Sequence, residues 1–118
     1  MELSPRLRDL ITTFKKNEIT EYHIYSNLAK TIPEEENKQV LREIAEDEKR
    51  HYDEWSEVVP GEVKPNRSKV WWYTTIGRIL GVTFALKLME QGEESAQGAY
   101  GTLIEEVPRA ERIMRDEN

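Results

Sequence analysis

The chain of 118 residues has no cysteine, which excludes disulfides, thiolate zinc sites and iron–sulfur clusters and leaves carboxylate and imidazole to hold any metal. It also has no apolar run near the roughly 20 residues that a membrane helix needs. The nearest approach, Val70 to Met89, is interrupted by Arg78 and Lys87 and diluted by threonines. The N-terminus shows no charged-then-apolar signal pattern, so the expectation is a cytoplasmic protein. Positive charge is in short supply: 17 Lys and Arg against 23 Asp and Glu give a net charge of -6. That balance excludes nucleic acid as the main partner, because phosphate binding needs a positive field, and it suits cations better. With 5 Pro, 6 Gly and 34% charged residues, the composition fits long solvated helices rather than a sheet with many turns. The length allows one all-α domain, spanning 1–118, and not two independent cores.

What is present is helical periodicity. Leu7, Ile11, Phe14, Glu18, Glu21, Tyr25, Leu28 and Ile32 are spaced alternately four and three, the seam of a helix packed in a bundle. This predicts helix A over about 4–31. Pro33 and the three glutamates after it suit the first turn of a second helix. Helix B, about 34–58, carries Leu41, Ile44, Glu48, His51, Trp55 and Val58 and stops at Pro60-Gly61. After a crossover over 59–67, a third seam of Ile79, Val82, Leu86, Met89, Glu93, Ala96, Tyr100, Leu103 and Val107 predicts helix C over about 68–106, with Gly77 and Gly81 as the places for a bend. A short helix D, about 108–118, shows Ala110, Ile113 and Glu117.

Glu18, Glu48, His51, Glu93 and Glu117 lie on the apolar seams, not on the solvated faces. A buried carboxylate is costly unless compensated, and several converging from four helices call for a cation. Glu48 and His51 are three apart and share a face. Helix geometry supports the meeting of A and B. From Glu18 to the turn near Ile32, and from there to Glu48, the arms are roughly 21 to 24 Å at about 1.5 Å per residue, so the hairpin returns Glu48 to the level of Glu18. Glu21 and Glu90 are additional candidate ligands. Tyr25 and Tyr100 are placed to hydrogen-bond a ligand carboxylate, and Asp47 and Asp116 to orient a ligand histidine.

An internal repeat adds weight. At an offset of 75 residues, Glu18, Tyr25, Leu28 and Pro33 fall on Glu93, Tyr100, Leu103 and Pro108. Ile44, Asp47 and Glu48 match Ile113, Asp116 and Glu117 at an offset of 69. A duplicated helix hairpin places two metals side by side.

These residues carry a family resemblance. Glu18, six residues, Tyr25, then Asp47-Glu48-Lys49-Arg50-His51 resembles the E-x6-Y…D-E-x-R-H signature of the ferritin-like superfamily of non-haem di-iron carboxylate proteins, which includes rubrerythrins, desaturases and alternative oxidases. More narrowly, the chain resembles the rubrerythrin-like domain at the N-terminus of vacuolar-iron-transporter-type membrane proteins. That likeness is strongest in Asn17-Glu18-Ile19-Thr20-Glu21-Tyr22-His23 and Leu88-Met89-Glu90-Gln91-Gly92-Glu93. The resemblance implies a ferritin-like four-helix bundle of two hairpins, a centre of two iron ions with manganese or zinc as substitutes, and a membrane iron-transporter domain following the chain. It further implies oxidation of Fe(II) by oxygen or peroxide in iron storage, detoxification or delivery. The alternatives are a non-catalytic iron or manganese module, a purely structural bundle, and a peroxidase that needs an external electron donor because the four-cysteine iron site of rubrerythrins is absent.

Two further expectations concern association. From Val63 to Met89 there are five basic residues and no acid, so the rest of the chain stands at -11 to give the whole its -6. Lys64, Arg67 and Lys69 lead into Val70-Trp71-Trp72-Tyr73, the pattern of a membrane interface or of aromatics covering a bundle end. Because the chain supplies one Glu-x-x-His, a homodimer is expected. It would be closed by symmetric packing of the Trp71 to Leu86 region or by an exchanged hairpin.

Overall fold

Ser4 opens the first helix by accepting a hydrogen bond on its hydroxyl from the Leu7 amide at 3.2 Å, and Pro5 fills a first-turn position where its missing N–H costs nothing. In the computed structural model, which describes residues 3–92, α1 then runs over Pro5–Ala29. The chain turns at residues 30–34 and α2 follows over Glu35–Val58, with Glu35 and Glu36 in its first turn where the helix dipole favours negative charge. Residues 59–66 are irregular. Asn66 caps α3, Arg67–Leu80, by accepting from the Lys69 amide at 3.1 Å. A fourth helix, α4, starts at residue 82 and is described to 92. The described residues contain no strand, and none of their helices is long and apolar enough to cross a membrane.

α1 and α2 form an antiparallel hairpin with an apolar cluster at each end. Away from the turn, Leu7, Leu10, Ile11 and Phe14 pack on Trp55 and Val59, with the Phe14 and Trp55 rings 5.6 Å apart. Near the turn, Ile24, Leu28 and Leu41 meet Ile76 from α3 and Ala85 and Met89 from α4. α3 runs parallel to α1, because the Asn66 amide reaches the Thr20 hydroxyl at 2.9 Å and the Asn27 amide group reaches that of Thr74 at 3.4 Å. α4 runs back along α3. A Cβ built on Gly77 would lie 3.8 Å from that of Ala85, and one on Gly92 would lie 3.7 Å from the Tyr73 hydroxyl.

The crossover must satisfy its backbone without a ladder, and three buried side chains of the hairpin do so. Lys15, with 0% of its surface exposed, donates from Nζ to the Val59 carbonyl at 2.8 Å and to that of Gly61. The Tyr52 hydroxyl accepts from the Val63 amide at 2.9 Å. Thr20 accepts from Asn66 and donates back to the Lys16 carbonyl. Periodicity alone overlooks Lys15 and Thr20.

The single helix expected over 68–106 is instead broken at Gly81. There φ is 99° and ψ is 151°, backbone that glycine alone adopts readily. The break resets the helical phase. Ile79, expected on the same seam as Val82, is therefore 74% exposed, while Ile76 of α3 and Ala85 and Met89 of α4 take the buried positions. The part of helix C beyond residue 92, and helix D, lie outside the described residues.

Candidate metal centre

The two apolar clusters leave a polar waist between them, and the candidate ligands stand there. On α1, Glu18 lies between Phe14 of one cluster and Ile24 of the other; on α2, Glu48 and His51 lie between Leu41 and Trp55. Residues three apart on a helix present side chains on one face. Because the hairpin is antiparallel, that face of α2 meets Glu18 at one level. One donor atom each from Glu18, Glu48 and His51 lies within 4.8 Å of the other two. A metal with bonds of roughly 2.0 to 2.3 Å holds neighbouring donors about 3 Å apart and opposed donors about 4.4 Å apart. The cluster is thus of the size that small side-chain rotations close around one ion.

The electrostatics fit a cation. All three residues are half-buried, and the Oε2 atom of Glu18 is shielded from solvent. Two carboxylates held this close repel unless a positive charge joins them. On the outer face of α2, Lys49 and Arg50 are already engaged. Lys49 pairs with Asp53 at 2.8 Å, and Arg50 with Asp47 at 3.3 Å and Glu54 at 3.7 Å. The inward-facing donors are two carboxylates and one imidazole without sulfur, a set that suits iron, manganese or zinc.

Beside the waist, Lys15 Nζ stands 5.1 Å and Lys49 Nζ 5.3 Å from the centre of the Tyr52 ring, one residue along α2 from His51. Burial pushes the Lys15 ammonium below its ordinary pKa of 10.5, yet its proton donors are directed at the crossover carbonyls.

Glu21, Asp47 and Glu90 do not join this group of three donors. Asp47 is exposed and engaged with Arg50, one residue round the helix from Glu48. Glu90 is exposed on α4. Glu21 is half-buried, and Tyr25 packs its ring against the cluster near the turn. Glu93, Tyr100, Asp116 and Glu117 lie outside the described residues. Comparison with protein-family models, with curated proteins and with solved structures finds no match to this chain.

Proposed function

We propose that this chain is a carboxylate metal protein of the ferritin-like kind that takes up Fe(II) between α1 and α2 and oxidises it. One observation carries the reading: the convergence of Glu18, Glu48 and His51 at the level where the hairpin interrupts its own apolar core. Glutamate oxygens accept both Fe(II) and Fe(III), and His51 supplies the nitrogen donor that makes the site more than a generic acidic patch. In this reading Glu93 and Glu117 supply the carboxylates of a second iron position, as the internal repeat suggests. Two Fe(II) ions each lose one electron. Together those electrons and two protons reduce either one hydrogen peroxide to two waters or one dioxygen to hydrogen peroxide, which leaves. The half-buried waist holds the iron while the apolar clusters on either side limit water around it.

The test is addition of Fe(II) to the metal-free chain, anaerobically and then in air, following Fe(III) by its near-ultraviolet absorbance. Repeated oxidation beyond two irons per chain is the expected result, lost in Glu48→Ala. Uptake that stops at a fixed stoichiometry with no turnover would make the chain a carrier of iron or manganese. Absence of uptake, with Glu48→Ala indistinguishable from the wild type, would leave a structural bundle.

A further inference from the structure

A second feature lies on α3 and is independent of any metal. The solvent face of α3 carries large apolar side chains: Trp71 is 65% exposed, Trp72 53% and Ile79 74%. The Gly81 turn extends this surface with Leu80 and Phe84, 59% and 47% exposed. Side chains of this size rarely gather on a surface without a partner. Beside them, between α1 and α3, lies an open groove of about 560 Å³ whose lining includes His23, Asn27, Arg67, Trp71 and Arg78. Arg67 and Arg78 are eleven residues apart, three helical turns, and so stand on one side of α3 at the two ends of the groove. Lys64 adds a third cation, and Glu62 is the one acid among the lining residues.

We propose that α3 and the α3–α4 turn form a docking surface for an anionic lipid bilayer. Trp71, Trp72 and Ile79 would enter the headgroup boundary while Arg67 and Arg78 hold lipid phosphates at the groove. Charge selects this occupant. The segment from Val63 to Met89 has five basic residues and no acid within a chain of net charge -6, so at the groove Lys64, Arg67 and Arg78 outnumber Glu62. A symmetric contact with a second copy would bring this face against itself and oppose like charges. A negatively charged lipid surface meets the apolar and the basic halves of the patch together, as interfacial helices do. This places the bundle against a membrane through the face of α3.

The experiment is flotation of the full 118-residue chain with vesicles of phosphatidylcholine alone and of phosphatidylcholine mixed with phosphatidylglycerol, in low and high salt. Binding is expected to the anionic vesicles only and to fall in high salt. Removing two interfacial charges with Arg67→Gln/Arg78→Gln should weaken it about thirtyfold. Tryptophan emission should shift to the blue on binding, and Trp71→Ala/Trp72→Ala should abolish that shift, since the remaining Trp55 is 3% exposed and already dry. All four substituted residues are exposed, and circular dichroism checks that the variants stay folded. Failure to bind anionic vesicles, equal binding to neutral ones, or indifference to the arginine pair would overturn the proposal. So would sedimentation showing a wild-type dimer that the tryptophan variant dissolves, because the face would then belong to a second copy.

Discussion

A lysine with no exposed surface has to find every partner inside the protein. Lys15 does so by turning its ammonium to the carbonyls of Val59 and Gly61 and over the Tyr52 ring, which fixes where the chain leaves α2. Lysine is among the residues least often fully buried, so a reading by residue type passes over it. The usable signal is that Ile11, Lys15 and Ile19 follow one another at intervals of four, and both isoleucines are buried. Glu18, Glu48 and His51 were easier to read because their seam positions and the equal hairpin arms place them together without any knowledge of side-chain detail. Lys15→Met should cost about 1–3 kcal/mol in urea unfolding, because it leaves carbonyls of the crossover short of a donor. The pH dependence has a definite sign. Burial holds the folded-state pKa below 10.5, so the folded protein gives up this proton before the unfolded chain does. Stability attributable to Lys15 then rises with pH from the lowered pKa up to 10.5 and is flat below it. The wild type should show that alkaline rise relative to Lys15→Met; a parallel pair of stability-versus-pH curves would refute it.

At the level of elements, the α1–α2 hairpin follows from sequence and the α3–α4 pair does not. The hairpin has a cap at Ser4, glutamates in the first turn of α2 and two seams of matching length. Nothing local in Ile79, Val82, Leu86 and Met89 reports that Gly81 breaks the phase, since the same spacing describes one bent helix or two helices. The deciding contact is tertiary. Gly77 is buried against α1, and a Cβ there would fall 2.3 Å from Leu28 Cδ2, so its lack of a side chain lets α3 approach α1 closely. Gly77→Ala should therefore destabilise by about 1–3 kcal/mol through overpacking. Leu28→Val removes the clashing methyl at its own cost, and the double variant should be more stable than the sum of the two losses predicts. Gly81→Ala should also cost about 1–3 kcal/mol, from backbone strain at φ 99°, but without coupling to Leu28. Strict additivity of Gly77→Ala with Leu28→Val would mean that the close approach is not what Gly77 provides.

Across the described residues as a whole, two apolar clusters are separated by a waist that holds two glutamates and a histidine. A cation bound there joins α1 to α2, and because the unfolded chain does not assemble the three donors, its binding free energy adds to folding. At a free metal concentration of about 100 times Kd the gain is about 2.7 kcal/mol, or a rise in Tm of roughly 10 °C for a domain of this size. We therefore expect anaerobic Fe(II), and Mn(II) in its place, to raise Tm by that order in the wild type and to leave Glu48→Ala and His51→Ala unmoved. Metal-free Glu48→Ala should unfold within about 1 kcal/mol of the wild type, because Glu48 is only half-buried. Loss of stability in metal-free Glu48→Ala, together with no metal-dependent shift in the wild type, would identify the cluster as an ordinary structural network. The same scans separate this reading from the bilayer surface, because Arg67→Gln/Arg78→Gln should keep the full metal-dependent shift while losing the vesicles.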